Sequence, residues 1–580
     1  MGKTYYVHPQ GSDEDSGQSP GAAWRTLAKV SQACFEPGDR ILLVSGGTWN
    51  EPLVLHGSGL PDNPITLSHY GAGPRPIITC SEGNVILLHN ESGWRIEGLE
   101  VFCSSLEPLV PPSVIDPETG LEIKRAPVFS GQVETNRGIH VLCDEPGPWS
   151  AILIRDNHVH GLGVDTMTEG IVFLAVYSQE QNEPVVEHIR IENNVVENLG
   201  WRGIGTAEKE RISARTYKDA VFRDVSITGN TVRYLGVQGI VLGNANHSSM
   251  ERNVVQNAGM YQGEGVSWGP AGLWPFSCSD VVIRFNEVWG MHDSNSGNDA
   301  TGIDIDWHSR RILVAYNYTH HNQGNGIVTM ACHDSQIIHN KVCANAGLIN
   351  IGPGQIGLSD YQSDTNAEPI TGVKGLEISD NLIVVDRPGT MALNSIHISA
   401  GDSWENISFC RNRIVFPDPA MQTSFYAIGP GTEVSQINEN QFFGVKREDL
   451  RAVHHGRENL DANQWQELGF DGDSTFEPVC WRSLPAPESL CARIEPAQRQ
   501  VILAWTVSDQ PGTKIHHFNV FRTPDPGTLP QYRHMLGETT ECQFTDLIDF
   551  GNTSCTYQVQ AEDTCGHVSS VSQVSISLIK

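Results

Sequence analysis

No run in this 580-residue chain is apolar and long enough to cross a bilayer. Basic residues are also scarce: 38 Lys and Arg stand against 68 Asp and Glu, a formal charge of -30 with a pI near 5.0. That balance argues against nucleic acid and membranes as partners, and mildly against a polyanionic substrate. Charged residues of both signs make up only 18%, while Gly reaches 57 and Pro 32, the profile of a turn-rich β protein. The 13 Cys show no CxxC spacing, so a zinc ribbon is not indicated. Most are expected to be buried small hydrophobes or free thiols, with an occasional disulfide left open. No signal peptide precedes Thr4-Tyr5-Tyr6-Val7, which already reads as a strand. A secreted, periplasmic or cell-surface location therefore implies a leader absent from this chain, and a cytoplasmic one stays open.

What is present is a repeat. An apolar alternation leads to Asn and then a β-branched pair, as at Asn157-His158-Val159, Asn194-Val195-Val196, Asn230-Thr231-Val232, Asn253-Val254-Val255 and Asn286-Glu287-Val288. Asn317, Asn340, Asn381, Asn412 and Asn440 follow in similar frames, with successive Asn 23 to 41 residues apart. Gly-Ile or Gly-Leu keeps step, with glycines at 138, 170, 203, 239, 272, 302, 326 and 347. Each period supplies short strands and tight turns. Such a coil cannot bury its inner face alone, but stacked coils share one core. The expected fold is all-β: a right-handed parallel β-helix. The Asn are read as structural. They tolerate the left-handed conformation at a turn, and their amides can bond the next coil. Long spacings at 194 to 230 and 253 to 286 send out loops, carrying Lys209-Glu210-Arg211 and Gly263 to Pro270, that are expected to wall a cleft.

The ends differ from the repeat. Residues 1–90 read as an N-terminal cap with the first coils, residues 91–444 as the β-helix, 445–484 as a second cap or linker, and 485–580 as a separate β domain. Tyr6 to Asp13, Ala23 to Leu27 and a short amphipathic helix near Ala28 to Cys34 resemble the N-terminal cap of β-helix glycosidases and polysaccharide lyases of the pectate-lyase-like superfamily. The likeness covers roughly residues 4–80 and implies no particular reaction. Strand-like alternation at Val501 to Trp505, His517 to Arg522 and Cys555 to Ala561 resembles a fibronectin type III domain, which implies a β-sandwich with its Trp and Tyr in the core.

Period two places the chemistry. In Gly302-Ile303-Asp304-Ile305-Asp306-Trp307-His308 the two Ile point inward, so Asp304 and Asp306 point out, about 6.5–7 Å apart along the strand. Such a carboxyl pair suits acid and base or nucleophile in glycoside hydrolysis. Stacking the coils sets Trp274 and Phe276 before the pair, with Val328 and Met330 after it. Aromatic faces suit a sugar ring and raise a neighbouring carboxyl's pKa by desolvation. The catalytic candidates are Asp304, Asp306, Glu264 and His308. Trp274, Phe276, Trp268, His333, Asp334, Arg310 and Lys209 are the candidate substrate contacts. No cofactor is required. Ca²⁺ is an alternative, with Asp299 and Asn298 as further ligands, and solvated surface charge is the plain reading. Ala271 to Phe276, Asp304 to Asp306 and Tyr316 to His320 resemble bacterial β-helix proteins associated with polysaccharide degradation. The polygalacturonase signature is absent, with no Asp-Asp pair followed by Gly-His-Gly and Arg-Ile-Lys.

Three functions compete. The first is hydrolysis of a poly- or oligosaccharide. The second is a polysaccharide lyase, which needs cationic parts such as Lys209, Arg202, Arg310 and Arg311, requirements that a C5-epimerase shares. The third is a glycan-binding protein or adhesin. Oligomeric state is not legible.

Overall fold

The computed structural model describes residues 2–104, 113–115, 122–124, 135–175, 186–208, 220–262, 269–294, 299–345, 354–360, 371–396, 403–418, 424–479, 483–508, 514–548 and 553–578. Among these, three long parallel sheets wind around one core and form a β-helix. Sheet 1 has 17 strands, and sheets 2 and 3 have 14 each. A single coil shows the plan. The strand Ala245–Glu251 lies in sheet 1, Val254–Gln256 in sheet 2 and Ala271–Phe276 in sheet 3. Coils stack in register, so like residues form columns. In sheet 3 one inward column runs Ile139, Ile171, Ile204, Ile240, Leu273, Ile303, Ile327 and Ile356, all fully buried.

The repeat Asn form one continuous ladder at the corner between sheets 1 and 2. The backbone N–H and the Nδ2 of Asn253 both donate to Oδ1 of Asn286, at 2.9 and 3.1 Å. Asn286 donates in the same way to Asn317, at 3.0 and 2.9 Å, and its Nδ2 also reaches the Met250 carbonyl at 2.9 Å. The pattern holds from Asn157 to Asn440, with every member at most 1% exposed. The left-handed residue at this turn is the one before the Asn. Asp156, Asn193, Arg252, Phe285, Tyr316, His339, Asp380, Arg411 and Glu439 all have φ between 54° and 58° there, and Gly229 has 72°. The expectation that Asn was chosen for its left-handed tolerance is thus corrected: its amide is what the site uses.

The repeat glycines mark the corner between sheets 2 and 3, where coils come closest. A Cβ on Gly239 would lie 2.3 Å from the carbonyl oxygen of Gly272, and one on Gly170 as close to that of Gly203. Gly347 lies outside the described residues.

The ends are capped. Thr4–Val7 pairs in parallel with Arg40–Val44. Helix Leu27–Ser31, with Thr26 as N-cap, buries Leu27 and Val30 in the first coils. At the other end the sheets run past residue 445, to Arg457–Leu460 in sheet 3 and Thr475–Glu477 in sheet 2. Helix Ala462–Glu467 then closes the core with Trp465, fully buried and stacked on Tyr426 at 5.4 Å. Among the described residues the cysteines are free and most are buried.

Residues 488–578 form antiparallel sheets of three and four strands around Val501, Leu503, Trp505, Val520 and Tyr557. This unit is docked, not strung on a linker. Arg252 donates to the carbonyls of Arg533 and Met535, Arg413 to that of Asp563, and Lys341 to that of Gly566. Phe285 and Tyr316 pack with Phe521, Met535 and Tyr532.

Two outcomes follow. Asn286→Ala removes the acceptor of two buried donors and costs about 2–3 kcal/mol, read as a lower urea midpoint; an unchanged midpoint would show the ladder to be ornamental. Deleting residues 485–580 uncovers the Phe285 and Tyr316 face, so the truncated helix is expected to unfold at lower urea and to bind a hydrophobic dye.

Candidate functional site

The site stands on the outer face of sheet 3. Strand Thr301–Ile305 is bracketed by left-handed residues: Asp299 and Ala300 at φ 55° and 52° before it, His308 at 60° after it. Ile303 and Ile305 enter the main core. Asp304 and Asp306 therefore leave on the other face, where Asp304 is in register with Val328. Leu273 opposite Ile303 brings Trp274 beside Asp304. That outer face is not open. Val172, Leu174, Val241, Ala271, Trp274, Phe276 and Trp307 form a second apolar cluster outside the coil, and both Asp are only 2% exposed.

Three carboxyls share this apolar setting, and their surroundings differ. Asp306 accepts the Trp274 indole N–H at 2.7 Å and the Trp307 backbone N–H at 2.8 Å. Burial and the charge of Asp299 push its proton affinity well above the usual carboxylate range, and these two donors oppose the push. Asp304 has no such support: its Oδ1 is buried without a hydrogen-bond partner. Burial, then the charges of Asp306 and Asp299, drive it well above the usual range. Burial raises Asp299 to about 6. It is also the partly exposed member of the three. Gly269 lies hard against it, since a Cβ there would stand 1.6 Å from the Asp299 carboxylate. Between Asp304 and Asp306, negative charge is the better supported on Asp306, the one with donors. His308 is fully buried and pushed down to about 4 by that burial, so it is neutral wherever Asp299 titrates.

The other expected residues scatter. Trp274 sits at the pair, yet its N–H is committed to Asp306 and its ring is 4% exposed; Phe276 is fully buried beside it, ring centroids 5.3 Å apart. Arg310, His333 and Asp334 lie on or beside sheet 1 strands, beyond the turn at Trp307-His308. There Arg310 pairs with Asp334 at 2.8 Å, and His333 meets the Thr371 carbonyl. Lys209, Glu264, Trp268 and Asn298 lie outside the described residues. The cationic parts a lyase needs are otherwise engaged: Arg202 pairs with Glu169, and Arg311 with Asp280.

Two features escaped the sequence reading. The sequence marks Asp299 as a nearby polar residue and a possible Ca²⁺ ligand but not as a third member of the cluster, because nothing local shows that the turn folds it back onto the pair. The second is a buried ion network on the same sheet: Glu169 bonds Arg137 at 2.8 Å and Arg202 at 2.6 Å. Burial opposes the charge of Glu169, but Arg202 and Arg137 outweigh it and hold the carboxyl below its usual range. This network had a signal, since Arg137, Glu169 and Arg202 each precede a repeat glycine and so share one column.

A parallel β-helix with a buried carboxyl cluster on one outer sheet is the class of protein the geometry defines. No protein-family model matches the chain. It is similar to the lacto-N-biosidase of Bifidobacterium longum subsp. longum, 25% identical over 400 aligned residues that cover 55% of this chain and 24% of the relative. The chain thus spans about a quarter of that curated relative's length. Among solved structures it is similar to the GH136 lacto-N-biosidase of Eubacterium ramulus (selenomethionine derivative), at 17% identity and TM-score 0.47 over 82% of this chain and 68% of that one. It is also similar to XylC in complex with xylose, at 12% identity and TM-score 0.42 over 99% and 100%.

The raised carboxyls make a pH signature. Asp299 and Asp304 bind protons more tightly folded than unfolded, so the native state holds more protons between about pH 4 and 6 and above. Their contribution is present at low pH and lost as pH rises through the folded values. Asp304→Asn is therefore expected to melt higher than the parent at pH 8, with the gap closing towards pH 4. Parallel melting profiles would show that Asp304 carries no such penalty.

Proposed function

We propose that this protein is a glycoside hydrolase acting on an oligosaccharide, with Asp306 and Asp299 as its working carboxyls. The observation that carries this is the contrast within one cluster. Asp306 has two N–H donors that favour its charge, while Asp299, partly exposed and raised to about 6, keeps its proton into the mildly acidic range. One carboxylate and one carboxylic acid across a glycosidic bond are what this reaction needs. Asp299 donates its proton to the leaving oxygen. Asp306 supplies the negative charge at the anomeric carbon, as nucleophile or through water. Asp304, held neutral, spares Asp306 a second adjacent charge. Trp274 is a positioning residue that orients Asp306. The likeness to a curated lacto-N-biosidase supports the same reading and makes glycosides of lacto-N-biose the first substrates to test. The calcium alternative would draw on the same carboxyls. We also assign residues 488–578 to the fibronectin type III class, supported by the three-plus-four strand arrangement.

The test is a panel of chromogenic glycosides and oligosaccharides, including a lacto-N-bioside, scored for new reducing ends and for the ultraviolet absorbance of unsaturated uronates. Reducing ends without absorbance are expected. Asp306→Asn should lower kcat/KM at least ~1000-fold and Asp299→Asn at least ~100-fold. The parent's kcat/KM should fall as pH rises above about 6, where Asp299 loses its proton. EDTA should leave turnover intact. Absorbance rising in step, or unaltered activity in both variants, would overturn the assignment, and loss on chelation restored by Ca²⁺ would return the carboxyls to the metal reading.

A further inference from the structure

A second cluster of ligating side chains stands on a different sheet, in the N-terminal coils. Strand His158–Gly161 of sheet 2 places His158 and His160 two residues apart, on one outward face. Their rings stack at 4.4 Å between centroids. The neighbouring strand Glu100–Cys103 sets Glu100 in register with His158. The Nε2 of His160 lies 3.1 Å from Glu100 Oε1. One coil further on, Glu197 Oε1 lies 2.9 Å from His158 Nε2, while its other oxygen takes the Arg233 Nε–H at 2.5 Å. Phe102 stacks on His160 at 4.8 Å and fixes that ring from the far side.

The three ligand atoms of Glu100, His158 and His160 lie within 4.8 Å of one another. Ligands of one zinc ion, bound at about 2.0–2.2 Å in a tetrahedron, stand about 3.4 Å apart. The needed closure is a matter of small side-chain rotations, because the backbone already sets the three on one face. Two imidazoles and one carboxylate are borderline donors that suit Zn²⁺ over Ca²⁺ or Mg²⁺. The side chains of Glu100, His158 and His160 are 29%, 28% and 21% exposed, which leaves a side open to solvent for a fourth ligand.

The position has a physical use. Along sheet 2, stacked strands from His158 onward are separated by 23 to 41 residues. His158 and Glu100 are paired although 58 residues apart in sequence. A metal clip gains most where it closes the longest loop.

We infer that Glu100, His158 and His160 form a zinc site that fastens the coil carrying the two histidines to the coil before it. The site is structural and separate from the carboxyl cluster, so it does not rest on the hydrolase reading. The competing explanation is a set of metal-free His–Glu hydrogen bonds.

The test uses the full chain, stripped with EDTA and titrated with ZnCl₂ by calorimetry, with thermal melts alongside. One Zn²⁺ per chain bound with a Kd below micromolar is expected, together with a rise in melting temperature of several degrees. Co²⁺ should give visible absorbance of a four-coordinate N/O site. The double variant His158→Gln, His160→Gln should lose at least ~100-fold in affinity and all of the melting shift. Glu100→Gln, which keeps both rings and their stacking, should lose at least ~10-fold. A parent that binds no zinc, or variants that bind and melt like the parent, would overturn the site and leave the hydrogen bonds as the whole account.

Discussion

The asparagine ladder is the constraint on which the rest of this molecule hangs. Each ladder Asn makes its two amide atoms serve three coils: Oδ1 takes two donors from the coil before, and Nδ2 bridges a carbonyl behind to an oxygen ahead. A buried hydrogen bond of this kind is worth about 1 kcal/mol net. The residue before each Asn is forced left-handed, at roughly 1–2 kcal/mol for a residue with a side chain. Two or three bonds per Asn outweigh that cost, which is why Arg, Phe, Tyr, His and Glu are all tolerated there. The ladder ends where its partners change: Leu99 N–H donates into Asn157, and Ser474 and Asp471 receive Asn440.

A stack fixed this firmly frees its outer faces. The inward columns carry the apolar burial, and the same register lines up outward residues whatever their chemistry. Sheet 3 uses this freedom for a carboxyl cluster and for the Arg137–Glu169–Arg202 network. Sheet 2 uses it to receive the C-terminal domain, through Lys341 and Arg413 among others, and near its start for the His–Glu cluster. The two clusters therefore occupy different sides of one scaffold, and neither needs to compromise the core that both stand on.

How much of this was legible follows from the range of each signal. The coil repeat, the Asn positions and the outward direction of Asp304 and Asp306 are local patterns of period two or of one coil, and the sequence carries them plainly. What the left-handed residue would be was not legible, because the pattern names the Asn and not its neighbour. Desolvation of the carboxyls by Trp274 and Phe276 was legible, but its extent was not, because the cluster covering them also draws Val172 and Val241 from other coils. The return of Asp299 to the pair, the run of sheets past residue 445 and the docking of the C-terminal unit likewise depend on contacts that no local window contains.

The strain around the carboxyl strand fits this division of labour. Asp299, Ala300 and His308 are all left-handed and none is Gly, a concentration that costs of order 1–3 kcal/mol per residue and persists only where the surroundings over-determine it. Here the surroundings are Ile303 and Ile305, locked in the inward column, together with backbone bonds from Thr301 to Pro270 and from Asp306 to Pro275. The strand cannot relax by sliding, because one residue of slip would turn both Ile outward and both Asp into the core. Turns at each end must therefore absorb the strain, and in doing so they bring Asp299 within electrostatic reach of Asp304 and Asp306. The register that buries the core thereby also gathers three carboxyls in a poorly hydrated place, where small differences in donors decide which of them keeps its proton.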